Sequence, residues 1–279
     1  MEYGRETVIR LTEYEFEEIV QYFRANYGIN LQKKKVLVEC RMAKELERLK
    51  VPSFAEYLRL LRRDRTGDVA AGMVNQLTTN YTYFLREPAH FSLLEQKIYP
   101  ELFPRKYGPC QIWCAGCATG EECYTLAMSL CDYRESSGMA VNARILATDI
   151  SEEVLKRAEK GIYPKKEKER LPVSWQEKYC VDMDAGHFCV EEYLKYHIRF
   201  LKHNLLAPLP EKQQFDVIFC RNVMIYFDKT VREQLVRRLE DCLKEGGYLF
   251  TGHAELLSRE ETRLEQVYPA VYRKVRTSE

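Results

Sequence analysis

The sequence predicts an α/β protein: a doubly wound, mostly parallel sheet with a small antiparallel β insertion, preceded by a small all-α domain. Three observations lead there. Beyond residue 108, short apolar runs bounded by glycine or an acid alternate with amphipathic helical stretches, the pattern of successive βα units. Before residue 66 the apolar spacing is helical throughout. Between about 164 and 203 the alternation breaks into short strand-like runs.

The helical part comes first. Phe16, Ile19, Val20 and Phe23 mark one helix, and Phe54, Tyr57, Leu58, Leu60 and Leu61 another. Between them Val36, Val38, Met42, Leu46 and Leu49 recur at three- and four-residue steps, with small slips. Arg65-Thr66-Gly67-Asp68 reads as a break, so residues 1–66 form the helical domain. Residues 67–90 are expected to be a linker that also contributes to the main site, and 91–279 the α/β domain with its insertion at about 164–203.

In the α/β part, Gln111–Ala115 is a buried strand running into Gly116-Cys117-Ala118-Thr119-Gly120-Glu121-Glu122 and a helix with Tyr124, Leu126, Ala127 and Leu130. Ala143–Ile150 is a second strand, Ser151 an N-cap, and Gly161 the end of the helix that follows. Phe188–Val190 and Tyr196–Phe200 read as short antiparallel strands of the insertion. Phe215–Asn222 is a third main strand. Asp228 caps a helix carrying Val231, Leu235, Leu239 and Leu243, Tyr248–Gly252 is a fourth strand, and Ala270–Val275 is expected at the sheet edge.

Charge and cysteine usage exclude several classes. The 279 residues hold 43 Lys plus Arg against 42 Asp plus Glu, a balance unlike that of a dedicated nucleic-acid binder. No run approaches the roughly 18 apolar residues of a membrane span. Met1–Leu11 lacks the apolar core of a signal peptide, so a reducing cytoplasmic setting is expected. Ten cysteines at irregular spacing do not make a disulfide framework. The charge is nevertheless uneven: residues 1–32 carry −3 and residues 33–65 carry +6. The basic block is either a solvated helix face or an electrostatic dock for an acidic protein surface.

In doubly wound sheets, ligands bind beyond the C-terminal strand ends. Asp149 closes the second strand, where an acid can accept both hydroxyls of a ribose. The glycine spacing is Gly116-x-x-x-Gly120, not the dinucleotide fingerprint, and Glu121-Glu122 at the helix start repel a pyrophosphate. The combination favours a nucleoside without phosphates, S-adenosylmethionine being the obvious one. The alternative is a tight turn plus a helix-capping acid. Cys114-x-x-Cys117 reads as small residues packing that turn, because the flanking acids oppose thiolate formation. No metal site is expected: His90, His187, His197, His203 and His253 show no ligand spacing, and His253-Ala254-Glu255 is not H-E-x-x-H.

Several runs carry a family resemblance: Leu77–Glu87, Trp113–Glu122, Ala147–Ile150, Gly161–Tyr163, Phe215–Asp228 and Gly246–Glu255. Together they resemble the CheR family of chemotaxis receptor glutamate O-methyltransferases, over nearly everything from 75 to 275. The resemblance implies a Rossmann-like class I methyltransferase sheet with S-adenosylmethionine as cofactor and S-adenosylhomocysteine as product. It implies that Asn80, Thr82 and Arg86 contact the methionine end, that Glu122 faces the cofactor, and that Asp149 binds the ribose. Asn204 and Leu205 would lie by the adenine, Arg221 and Asn222 would line the pocket, and Arg86 and Tyr226 would flank the transferring methyl. Lys33, Lys34, Lys35, Arg41, Lys44 and Arg48 would dock the helical cytoplasmic domain of a methyl-accepting receptor. A monomer recruited to receptor arrays follows, without nucleic-acid binding or membrane insertion. Some members bind a receptor C-terminal peptide through a Gly-rich loop in the insertion. Tyr179–Val190 is short and holds only Gly186, so that tether is not expected. Two alternatives stay open: a methyltransferase of this fold acting on another substrate, and a non-catalytic cofactor-binding scaffold.

Overall fold

The computed structural model describes residues 9–105 and 108–275. The chain divides into two compact units, Met1–Thr79 and Asn80–Glu279. The break therefore falls a helix later than residue 66.

In the first unit, α1 (Glu13–Tyr27) starts at Thr12, which forms a reciprocal capping box with Glu15, and ends at Gly28 in the left-handed conformation. Next come α2 (Lys35–Leu49), α3 (Phe54–Arg63, capped by Ser53) and α4 (Asp68–Leu77). The expected apolar stripes face inward except Val36, which is 76% exposed, and Leu60, at 37%. Helix α4 packs on α2 through Gly72. A Cβ there would come within 1.9 Å of Glu45 Oε1, so only glycine admits the buried Glu45 carboxylate. That carboxylate is neutralised by Arg48 at 2.7 Å. This contact makes 68–77 part of the helical unit rather than a linker.

The second unit opens with α5 (Ala89–Leu93) and α6 (Tyr99–Leu102), joined by a π-helical turn. Then follow β1 (Cys110–Ala115), α7 (Glu121–Ser137), β2 (Ala143–Asp149) and α8 (Glu152–Lys160). The insertion holds β3 (Ile162–Pro164), α9 (Lys165–Lys168), α10 (Val173–Tyr179), β4 (Cys180–Asp182), β5 (His187–Val190) and α11 (Glu192–Lys195). The chain closes with β6 (Ile198–Lys202), β7 (Phe215–Cys220), α12 (Lys229–Cys242), β8 (Leu243–Thr251), β9 (Glu265–Tyr268) and β10 (Val271–Arg273).

The main sheet has seven strands in the order β6-β2-β1-β7-β8-β10-β9. The first five run parallel; β10 is antiparallel to both its neighbours. Side chains alternate between two cores. Ile112, Cys114, Phe219 and Phe250 pack on one face with Tyr124 and Met128, while Trp113, Ile218 and Leu249 pack on the other with Leu235 and Leu239. The order reverses between β1 and β7, which places the crevice for a ligand beyond those strand ends.

Two readings are corrected. Residues 196–200 do not belong to the antiparallel insertion: β6 pairs in parallel with β2, from Ile145–Ile198 to Asp149–Lys202. The small sheet is β3-β5-β4 alone. At the other side the outermost strand is β9, and β10 lies inside it because it pairs with β8 as well. No helix among the described residues is long and apolar enough to cross a membrane.

Candidate active site

The turn after β1 is held by backbone bonds to the end of β2. Gly116 N and Cys117 N both donate to Thr148 O, at 2.8 and 2.9 Å. Gly116 has φ +91, and a Cβ on it would come within 2.5 Å of the Val223 side chain. Gly120 has φ +95 and abuts Ala158, 2.8 Å from where its Cβ would sit. Both positions therefore require glycine. Tyr163 on β3 donates its hydroxyl to Thr119 O at 2.7 Å and so supports the turn from the insertion.

Asp149 is buried at the tip of β2. Its Oδ2 accepts from Ala118 N and its Oδ1 from Ser151 N, both at 2.9 Å. Burial pushes its pKa up against those bonds. Ile150 N is a third backbone donor to this carboxylate, which leaves about one of its four lone-pair sites for a hydroxyl donor. His203 N donates to Asp149 O at 2.9 Å, which brings Asn204 and Leu205 alongside. Asn204 turns the chain by accepting from Leu206 N at 3.0 Å.

The two acids at the start of α7 diverge. Glu121 is buried and accepts from Thr119 Oγ1 at 2.7 Å; burial raises its pKa. Glu122 meets Arg221 Nη1 at 2.9 Å. The Arg221 side chain is 1% exposed, at the end of β7, and also reaches Glu87 Oε2 at 3.2 Å and the Arg86 carbonyl. Its guanidinium carbon lies 5.7 Å from the ring centres of Phe91 and Phe219. Burial works to raise both carboxyls and Arg221 opposes it. Glu87 ends up lowered, Glu122 raised. Arg221 is in contact with both carboxylates, Arg86 adds a weaker attraction at Glu122, and Glu122 nevertheless stays raised. Glu87, His90 and His253 also bring ligand-type atoms within 4.8 Å of one another, and the cation against Glu87 is Arg221.

Four non-glycine residues around this site have positive φ: Leu85 (55°), Glu87 (55°), Ala118 (47°) and Asn222 (59°). Such conformations cost roughly 1–2 kcal/mol each and persist where neighbours enforce them. Arg86 stays within its own segment, donating to Tyr81 O at 2.9 Å and lying 5.9 and 5.7 Å from the Tyr81 and Tyr83 rings. Asn80 and Thr82 lie half-buried on that segment, and Tyr226 half-buried on the short turn Met224–Tyr226.

The six basic residues named for docking are not equivalent. Lys35 pairs with Glu13 at 2.5 Å and Arg48 with Glu45. Arg41 Nη1 faces the carbonyls of Gln76, Leu77 and Thr78 at 3.4, 3.4 and 3.0 Å, which caps the end of α4. Lys34 is half-buried, while Lys33 and Lys44 are exposed. Sequence reasoning passed over Glu87 and Glu255, the second fully buried. Glu255 is a carboxylate between Ala254 and Leu256-Leu257, and that was the available signal; Glu87, beside Arg86, carried none.

The thiols of the turn are inert: Cys114, Cys117 and Cys123 are buried, and burial pushes Cys114 up to about 11. The donor set fits S-adenosylmethionine. Asp149 suits a ribose, Glu122, whose pKa burial keeps raised even beside Arg221, suits a ligand with positive groups, and the two acids of α7 disfavour phosphates.

Comparison with known proteins agrees. Residues 80–272 match the CheR methyltransferase SAM-binding domain model and residues 14–78 the CheR methyltransferase all-alpha domain model. The chain is 39% identical to the chemotaxis protein methyltransferase of Borreliella burgdorferi, covering 95% of this chain and 96% of that one. It is 36% identical to the chemotaxis protein methyltransferase of Escherichia coli, covering 91% and 88%. Two domain models matched in order, together with identity at this level along almost the whole length, mean that the chain belongs to the CheR methyltransferase family and takes S-adenosylmethionine as its cofactor.

Proposed function

We propose that the protein transfers the methyl group of S-adenosylmethionine to glutamate side chains of chemotaxis receptors, forming methyl esters that adjust receptor output. The observation that carries this is the near full-length identity to relatives named as chemotaxis protein methyltransferases. The geometry of the site is its support.

Asn80, Thr82 and Arg86 hold the methionine end. Asp149 takes the ribose, using the acceptor capacity its three backbone donors leave, and Asn204 and Leu205 border the adenine. Glu122 and Glu87, both held by Arg221, compensate the positive groups of the ligand, and Asn222 completes the wall. When bound, the cofactor supplies a methyl group activated by a sulfonium. A substrate glutamate, with a pKa of about 4.3, is already a carboxylate at neutral pH, so no general base is needed. The Arg86 guanidinium orients that carboxylate, and Tyr226 packs beside it. The rate enhancement comes from in-line positioning.

In this reading the exposed Lys33 and Lys44 steer an acidic receptor helix. The enzyme works in the cytoplasm at receptor arrays, as a monomer and without the C-terminal tether. Incubation with labelled methyl donor and a receptor cytoplasmic fragment tests it. Base-labile label on glutamate is the expected result. Tight cofactor binding with no transfer would replace the enzyme reading by the scaffold reading.

A further inference from the structure

Glu255 belongs to the His253-Ala254-Glu255 run and has no part in the roles set out above. It is 0% exposed. Its carboxylate serves three backbone donors from two loops. Oε2 accepts from Asn222 N at 2.5 Å and from Gly252 N at 2.8 Å, and Oε1 accepts from Ile225 N at 3.1 Å. Asn222 and Ile225 lie on the loop that leaves β7, and Gly252 follows β8, its parallel neighbour. One side chain therefore ties together the C-terminal ends of two adjacent strands, where this fold places its ligand.

Asn222 adopts φ +59, a left-handed conformation that asparagine tolerates better than most residues. Its amide makes the shortest of the three bonds. The fit leaves no slack. A Cβ on Gly252 would lie 2.6 Å from Asn222 Nδ2 and 2.7 Å from Glu255 Oε2. Hydrogen bonds to an ionised acceptor are the strong and directional ones. An apolar side chain would fill a buried space more cheaply than a carboxylate. Here the carboxylate is directed at the one loop that carries Asn222 and Tyr226.

We propose that Glu255 is a positioning residue for methyl transfer. By gripping the Asn222 and Ile225 amides it sets the Arg221–Tyr226 loop so that Asn222 and Tyr226 face the reacting groups. The inference rests on the site reading given under the proposed function.

Glu255→Asp tests it, since it keeps the charge and draws the oxygens back by about 1.5 Å, one C–C bond. Displacement on that scale costs about 100-fold in rate when it misplaces groups at the reacting centre. The expected result is a kcat lowered about 100-fold, with KM for the receptor fragment changed less than about threefold and affinity for S-adenosylhomocysteine lowered at most about tenfold, well short of the kcat loss. Amide hydrogen exchange at Asn222 and Ile225 should quicken at least tenfold. Glu255→Gln, which keeps one acceptor for the two-donor side, should recover part of kcat. A folded Glu255→Asp with near wild-type kcat overturns the proposal. So does unchanged exchange at the two amides, or a kcat loss matched by an equal loss of S-adenosylhomocysteine affinity. If Glu255→Asp does not fold, Glu255→Gln is judged by the same criteria. Wild-type protein that transfers no methyl group overturns the functional reading as well, and the exchange data distinguish the two failures.

Discussion

Arg221 and Glu122 meet at 2.9 Å, one from the end of β7 and the other from the first turn of α7. The pair spans the point where the strand order reverses. Arg221 does not overcome the burial of Glu122, whose pKa stays raised. A ligand that brings another positive group relieves that imbalance. Glu122→Gln is therefore expected to weaken S-adenosylhomocysteine binding about tenfold, or ~1.4 kcal/mol, by titration calorimetry. Equal affinity would place the ligand's ammonium elsewhere.

Asp149 carries two loads, the turn and the proposed ribose contact. Asp149→Ala should lower S-adenosylhomocysteine affinity by about 10- to 100-fold, and it should also lower the melting temperature, because the Ala118 and Ser151 amides lose their acceptor. The pH dependence has a definite sign. With its pKa raised, the carboxylate takes up a proton at a higher pH than an exposed aspartate does. Affinity should therefore begin to fall earlier on acidification in the wild type than in Asp149→Asn, measured from pH 7 downward.

His90 is 2% exposed, and its pKa is depressed to about 4 by burial and by the neighbouring Arg221 and His253, with Glu87 opposing. The folded protein holds it neutral, while the unfolded chain protonates it near 6.5. Unfolding thus takes up a proton between those values, and stability falls as pH drops from about 6.5 toward about 4. Between pH 7 and 5 the loss from this group is about 2 kcal/mol. Urea unfolding of the wild type and His90→Leu at both pH values measures it. An identical pH slope in the two proteins would sink the assignment.

The basic face separates into two kinds of residue. Reversing Lys33 and Lys44 to glutamate should slow methylation of a receptor fragment several-fold, more at low salt than at high salt, with cofactor affinity unchanged. Arg41→Ala should instead destabilise the helical unit by about 1–2 kcal/mol, because the carbonyls at the end of α4 lose their donor. Loss of methylation in Arg41→Ala without loss of stability would return that residue to docking.

The strand–turn–helix from 111 to 131 was legible because each step has a local signal: an apolar run, glycines at positive φ, and acids at a helix start. Strand β6 was misread because a five-residue run of mixed burial looks the same beside an antiparallel neighbour as beside β2. Glu87 was invisible as a partner of Arg221, which lies 134 positions away. A carboxylate in a sequence does not say which cation it will meet. The docking residues show the same limit: Arg41 and Lys44 look alike as text, and only the path of α4 separates them.

The hydroxyl of Tyr163, seated on the carbonyl of Thr119, joins the small sheet to the turn after β1. The turn is thus braced from outside its own βα unit, and Tyr163→Phe would remove that brace while leaving the ring packed against Phe84, Tyr124 and Phe188.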